Sequence, residues 1–263
     1  MTEAGAQTQM EHAPGSFCWI ELATTDGPGA KKFYADLFGW EANDNPMGPD
    51  MVYTIFKING KDVAASYQKG KEMEHVPTHW ACYVCVTSAD ETAAKAKSLG
   101  AEVVQEPFDV MEHGRMAVIA DPTGAHFCIW QPNQHKGVGI KNAPNTLCWN
   151  ELMTSDTERA RDFYTKLFGW NTKTDAGAMP YTEWINGEDH IGGMMQIQPE
   201  MGPMPPNWGL YFAVEDCDAM VQKATSLGAR TYVPPTDIPN VGRFSVLADP
   251  TGGVFNIIKL SME

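Results

Sequence analysis

Two glutamates in this chain stand where acid–base chemistry is easiest to build. Phe17-Cys18-Trp19-Ile20-Glu21-Leu22 and Leu147-Cys148-Trp149-Asn150-Glu151-Leu152 each place a carboxylate two residues after a tryptophan. On a strand, residues i and i+2 share a face, so Glu21 would lie beside Trp19 and Glu151 beside Trp149. A carboxylate desolvated by aromatic neighbours holds its proton more tightly than one in water, which suits a general acid or base. His79 and His126 are the imidazoles available as its partner. The structural alternative is that each glutamate anchors a backbone group or an arginine, with Arg115 and Arg243 in matching positions. Trp19, Trp130 and Trp149 suit stacking on a planar ligand and equally suit core filling; Trp40 and Trp170 read as core. Arg115 and Arg243 each follow a glycine and would clamp an anion or form a surface salt bridge.

Composition narrows the partners. The 263 residues carry a formal charge of −14, which disfavours nucleic acid and anionic membranes, since both repel a net acid. No apolar run reaches membrane-spanning length, and Met1 to Pro14 is polar with Glu3 and Glu11, unlike a signal peptide. Residues 1–15 read as a loose tail. Most of the six cysteines sit in apolar strand-like runs, where reduced core cysteines belong, and a cytoplasmic location follows. Cys82-Tyr83-Val84-Cys85 has the spelling of a redox pair, but strand positions i and i+3 face opposite ways, so it reads as structural.

An internal repeat organises the elements that must position these residues. SFCWIELATTDGPGAKKFYADLFGW at 16–40 aligns with TLCWNELMTSDTERARDFYTKLFGW at 146–170, with 13 of 25 positions identical at an offset of 130. Farther on the offset is 128: Ser98-Leu99-Gly100-Ala101 matches Ser226-Leu227-Gly228-Ala229, and Ala120-Asp121-Pro122-Thr123-Gly124 matches Ala248-Asp249-Pro250-Thr251-Gly252. The repeats occupy 16–131 and 146–260. Residues 132–145 between them are polar, rich in Gly and Pro, and read as a linker.

Each repeat has one internal order. A strand over Phe17 to Thr24 meets Asp26 and Pro28, a helix start, and apolar residues at helical spacing run to Gly39, a helix stop. Strands are expected over Tyr53–Ile58 and Val63–Gln68 around an Asn59-Gly60 turn, then over Trp80 to Val86. A second helix ends at Gly100, followed by strands at Glu102–Gln105, Arg115–Ala120 and His126–Trp130. The β-α-β-β-β order occurs four times in the chain, an α+β architecture.

That order, with FY-x-x-L-F-G closing the first helix and ADPTG before the last strand, resembles the vicinal oxygen chelate superfamily of glyoxalases, bleomycin-resistance proteins and dioxygenases. The paired W-x-E-L and LFGW signatures look like its duplicated bacterial glyoxalase-like members. The resemblance covers residues 16 to 260 and implies two tandem domains, each a curved mixed sheet of two modules cupping a small-molecule cleft. It also implies where metal ligands would stand. Those positions hold Trp19 and Trp149, the stretches 63–66 and 191–194, Ala81 and Gly209, and Cys128 and Asn256. Indole and glycine do not coordinate a divalent ion, and a catalytic site generally needs three protein ligands. No cofactor and no divalent metal is therefore expected, although His79 is conceivable as one replacement ligand.

On the family's ligand-bearing face, strand parity gathers Trp19, Glu21, His79, His126, Cys128 and Trp130 in the first repeat. The second repeat offers Trp149, Glu151, Asn207 and Asn256. The leading expectation is a protein that binds a small planar or aromatic molecule in the first-domain cleft without a metal. A metal-independent isomerase or lyase acting on a carbonyl compound through Glu21 and a histidine is the rival. A scaffold with self-filled clefts and a metal-dependent enzyme with non-standard ligands are the others. Either a monomer or a homodimer is compatible with the duplication.

Overall fold

The computed structural model describes residues 10–48, 51–175, 177 and 180–261. The first repeat forms β1 (Phe17–Thr24), α1 (Gly27–Phe38), β2 (Glu41–Pro46), β3 (Val52–Ile58), β4 (Lys61–Gln68), β5 (His79–Cys85), α2 (Ala89–Ser98), β6 (Glu102–Val110), β7 (Gly114–Ala120) and β8 (His126–Pro132). The second forms β9 (Leu147–Thr154), α3 (Thr157–Phe168), β10 (Asn171–Asp175), β11 (Tyr181–Asn186), β12 (Asp189–Gln196), β13 (Asn207–Ala213), α4 (Cys217–Ser226), β14 (Arg230–Ile238), β15 (Gly242–Ala248) and β16 (Val254–Leu260). Each repeat makes one eight-stranded sheet, ordered β2-β3-β4-β1-β5-β8-β7-β6 and β10-β11-β12-β9-β13-β16-β15-β14. The architecture is α+β, four βαβββ modules in two pairs. At the centre of the first sheet β1 runs parallel to β4 and antiparallel to β5, and β5 runs parallel to β8.

Local chemistry sets the helix ends. The Asp26 and Asp156 carboxylates accept the backbone N–H groups of Gly29 and Arg159 at 2.9 and 3.0 Å, capping α1 and α3. Both helices close on a left-handed glycine, Gly39 and Gly169. The edge strands β2 and β10 carry no hydrophobic pattern and were not expected from the sequence. Glu41-Ala42-Asn43-Asp44-Asn45-Pro46 is almost wholly exposed, and pairing with β3 rather than side-chain burial makes it a strand.

Strand parity divides the side chains into two populations. Ile20, Leu22, Trp80, Cys82, Val84, Phe127 and Ile129 face the helices and join a core that runs continuously through both repeats. Trp19, Tyr83, Cys85, Cys128 and Trp130 form a separate cluster on the opposite face. Cys82 and Cys85 thus fall on opposite sides of β5, and every cysteine is a free thiol.

The shared core is stitched by hydrogen bonds that cross between the repeats. Tyr34 of α1 donates its hydroxyl to Asp249 Oδ2 at 2.9 Å and receives Trp80 Nε1 at 3.0 Å. Tyr164 of α3 likewise donates to Asp121 Oδ2 at 2.9 Å and receives Trp208 Nε1 at 2.8 Å. The other oxygen of each aspartate accepts backbone N–H groups of its own turn, those of Thr123 and Ala125 or of Thr251 and Gly253. Lys95 and Lys223 complete the exchange by donating to Leu167 O and Leu37 O, at the end of the other repeat's helix.

The segments expected to be loose are docked where they are described. Of the expected tail, residues 1–9 lie outside the described residues. Gly15 donates to Cys85 O at 2.7 Å and accepts Trp170 Nε1 at 2.8 Å, and His12 Nε2 lies 3.0 Å from Val138 O. The linker packs against the first sheet through Val138, which is fully buried. No helix among the described residues is long and apolar enough to cross a membrane.

The cross-repeat bonds predict coupled unfolding. Tyr34→Phe strips Asp249 Oδ2 of its phenol, and an unsatisfied buried acceptor costs about 1–3 kcal/mol. Urea denaturation is expected to show one transition at a lower midpoint, whereas an unshifted midpoint contradicts the role given to this bond.

Candidate functional site

The face of each sheet turned away from the helices carries the same four-residue network. In the first repeat, Trp19 Nε1 donates to the Tyr53 hydroxyl at 3.0 Å, and Tyr53 donates to Glu21 Oε2 at 2.8 Å. The Tyr83 hydroxyl donates to the other oxygen, Glu21 Oε1. In the second repeat, Trp149 Nε1 donates to the Tyr181 hydroxyl at 2.8 Å, and Tyr181 donates to Glu151 Oε2 at 2.8 Å. Tyr211 donates to Glu151 Oε1 at 2.9 Å. Adjacent central strands supply these groups: β1 and β5 pair Glu21 with Ala81 and Trp19 with Tyr83, while Tyr53 reaches in from β3.

Desolvation dominates the electrostatics here. It pushes the carboxyl groups of Glu21 and Glu151 above the ordinary glutamate range, against the opposing pull of two phenol donors on each. Burial and the neighbouring carboxylates hold all four phenols neutral by raising them above their ordinary value. Such a site can take up or give up a proton at the glutamate while the tyrosines remain hydrogen-bond donors.

The tyrosines, which sequence reasoning missed, are the glutamates' partners. Their signal was there: Tyr53 and Tyr181, and Tyr83 and Tyr211, recur at the 128-residue offset. Neither arginine serves that role. Arg115 Nε donates to Asp90 Oδ2 at 2.7 Å and its Nη1 to Asp109 at 3.0 Å; Arg243 binds Asp218 and Asp237 at the same distances. Both lie in strands at positions whose neighbours Ala117 and Leu247 join the helix-side core, so they face away from the cleft and the expectation of ligand contact is corrected.

The histidines share the cleft face but not a bond with Glu21. Glu21 pairs with Ala81, and the parallel register Tyr83–Cys128 sets His126 level with Ala81. Two strand spacings separate Glu21 from His126, about 10 Å, too far for direct proton exchange. His126 is exposed, and the second repeat has Val254 in its place. His79 Nδ1 lies 2.9 Å from Pro77 O, and burial lowers its pKa.

The remaining expected residues are present on this face in different states. Cys128 is buried beside Tyr83, and desolvation raises its thiol pKa. Trp130 is buried and donates Nε1 to His135 O at 3.0 Å. Asn256 is buried with its amide spent on Leu210 O at 3.1 Å. Glu21 and Glu151 both keep part of their surface open, as does Trp149, whereas Trp19 is 3% exposed.

A divalent metal does not fit this donor set. The positions implied by the resemblance present an indole N–H, small apolar side chains or glycine, and a thiol or amide. Among the described residues no group of three His, Cys, Asp or Glu side chains is placed to hold an ion.

Comparison with known proteins agrees with this architecture. Residues 19–130 match the Glyoxalase-like domain family, and residues 143–257 match the Glyoxalase/Bleomycin resistance protein/Dioxygenase superfamily. CFP32 of Mycobacterium tuberculosis, by name a proposed glyoxylase, is 39% identical over 253 residues, 95% of this chain and 96% of its own. The anthracycline biosynthesis protein DnrV of Streptomyces peucetius is 34% identical over 262 residues, 94% of each chain. The Mn(II)-bound glyoxalase from Novosphingobium aromaticivorans shares the fold with a TM-score of 0.65 at 16% identity, over 94% of this chain and 82% of its own. The 2,3-dioxygenase LapB from Pseudomonas sp. KL28 does so at 0.65 and 13%, over 95% and 94%.

The raised carboxyls make a signed prediction about pH. A folded-state pKa above the unfolded value contributes stability that is complete below the ordinary glutamate pKa and is lost as pH rises through the raised one. In a Glu21→Gln, Glu151→Gln double variant that loss disappears. The Tm of the variant relative to the parent is expected to climb as pH rises above the ordinary glutamate value of 4.5 and then to level off, and a constant difference contradicts the raised pKa values.

Proposed function

Because the chain belongs to the glyoxalase, bleomycin-resistance protein and dioxygenase superfamily, we propose that it binds a small planar molecule on the Trp–Tyr–Glu–Tyr face, without a metal. The duplicated network carries this reading. It supplies an apolar aromatic wall, two fixed phenols and one proton-accepting carboxylate, the few convergent polar groups on an apolar lining that small-molecule sites use. DnrV is named for anthracycline biosynthesis, and this agrees with an aromatic ligand. The net charge of −14 favours a neutral or cationic ligand over an anion.

A second reading has its own support. A glutamate of raised pKa flanked by two phenols is suited to removing a proton beside a carbonyl, and as the carboxylate is neutralised one phenol can turn its O–H from the glutamate to the developing enolate oxygen. The glyoxylase proposed in the name of CFP32 agrees with carbonyl chemistry. In this reading the tyrosines take the place first given to His79 and His126. Solvent exchange of the α-protons of hydroxyacetone in D2O, followed by NMR, is expected to be accelerated by the parent and not by Glu151→Gln; equal rates with and without protein exclude it.

Tryptophan fluorescence tests the binding reading. Titration of EDTA-dialysed protein with neutral 1,8-dihydroxyanthraquinone is expected to give saturable quenching. Removing a charge-assisted hydrogen bond costs about 1.5–3 kcal/mol, so the double glutamine variant is expected to bind roughly tenfold to a hundredfold more weakly. Binding that appears only on adding a divalent metal overturns the reading.

A further inference from the structure

The two clefts are built alike but are not equally available, and the difference lies in the linker. Residues 133–139 turn back over the first cleft. Asn133 and His135 donate their N–H groups to His113 O at 3.0 and 3.1 Å, and Val138 donates to Cys18 O at 2.8 Å. Gly139 donates to Asp62 O at 2.7 Å. Gly137 makes the close approach possible: its φ is +111°, and a Cβ there would stand 2.2 Å from Cys18 O. This path sets the His135 ring edge-on to Trp19, centroids 4.4 Å apart at 85°, and 6.0 Å from Trp130.

In the second repeat the matching described surface is more exposed. Cys18, Trp19 and Cys85 are 0, 3 and 4% exposed, while their counterparts Cys148, Trp149 and Ala213 are all partly exposed. Trp130, which walls the first cleft, is replaced by the smaller Ile258, and buried Ala23 by half-buried Met153. Methionine makes an adaptable wall for a flat ligand. The network to Glu151 is nevertheless complete, with Trp149 held by Tyr181.

We propose that the chain binds its ligand at one cleft only, the second, where a flat uncharged aromatic ring sits edge-on to Trp149 beside Glu151. His135 of the linker fills the equivalent place at Trp19 as a built-in occupant. The proposal rests on the small-molecule reading above and adds the cleft, the ring contact and the stoichiometry. An edge-to-face partner suits an indole whose N–H is already committed to a tyrosine, because the electron-rich ring face still attracts a polarised C–H edge.

Equilibrium dialysis of the full chain with 1,8-dihydroxyanthraquinone is expected to give one equivalent per chain. Trp149→Leu lowers that affinity at least tenfold and Trp149→Phe, which keeps an aromatic face, lowers it less. His135→Ala opens the first cleft and adds a second, weaker equivalent. Two equivalents on the parent, or one equivalent indifferent to Trp149→Leu, overturns the assignment while leaving the small-molecule reading intact. No binding by the parent overturns both. A ligand-free measurement stands beside these: the Val138 and Gly139 amides are expected to be protected from hydrogen exchange at least a hundredfold, and exchange at the rate of an unstructured peptide overturns the occupant role of the linker.

Discussion

The architecture depends on two aspartates buried at the tight turns before β8 and β16. Asp121 and Asp249 each satisfy one oxygen within their own turn and give the other to a tyrosine of the opposite repeat. A buried carboxylate without partners is costly, so neither turn is satisfied unless the other repeat's helix is in place. This constraint joins the two sequence signatures of the repeat into one interaction, since the tyrosine of FY-x-x-L-F-G binds the aspartate of ADPTG. It also directs both helix-bearing faces inward to a single core, which leaves the opposite faces of the two sheets as the surfaces on which ligand chemistry can be built.

On those faces duplication preserved a chemical unit and then changed its access. The carboxylate, its two phenols and the indole are held alike in both repeats. Cys128 and Asn256, Trp130 and Ile258, and His126 and Val254 have diverged around it. The linker adds a further asymmetry through Val138 and Gly139, which donate to Cys18 O and Asp62 O over the first cleft. Burial of Trp19 under the linker weighs against the first cleft, which the sequence had favoured for its richer set of titratable groups.

Most of the fold was legible because its determinants are local or periodic. Asp26, Gly39 and the alternating runs around Trp19 and Tyr83 specify caps and faces without reference to distant residues. The edge strands β2 and β10 were not legible, since polar residues there gain strand structure only from their neighbours. Parity correctly put Trp19, Glu21, Cys128 and Trp130 on one face. The same parity turns Arg115 and Arg243 away, with Ala117 and Leu247 of their strands in the helix-side core, but it was applied only to the strands of Trp19, His79 and His126 and not to theirs. The glutamates' tyrosine partners lie on other strands, at separations of 30 to 62 residues, and only the repeat offset announced them. The linker's Gly and Pro content signalled a boundary but not its docking, which depends on the long-range approach of Gly137 to Cys18.

Desolvation raises the carboxyl pKa of both cleft glutamates above the ordinary glutamate range, against two phenol donors on each. The most direct measurement is a pH titration of the glutamate side-chain carboxyl carbons by 13C NMR in selectively labelled protein. The account predicts two resonances that titrate above the ordinary glutamate value of 4.5, one of them absent in Glu151→Gln. A spectrum in which every glutamate titrates at or below that value contradicts it.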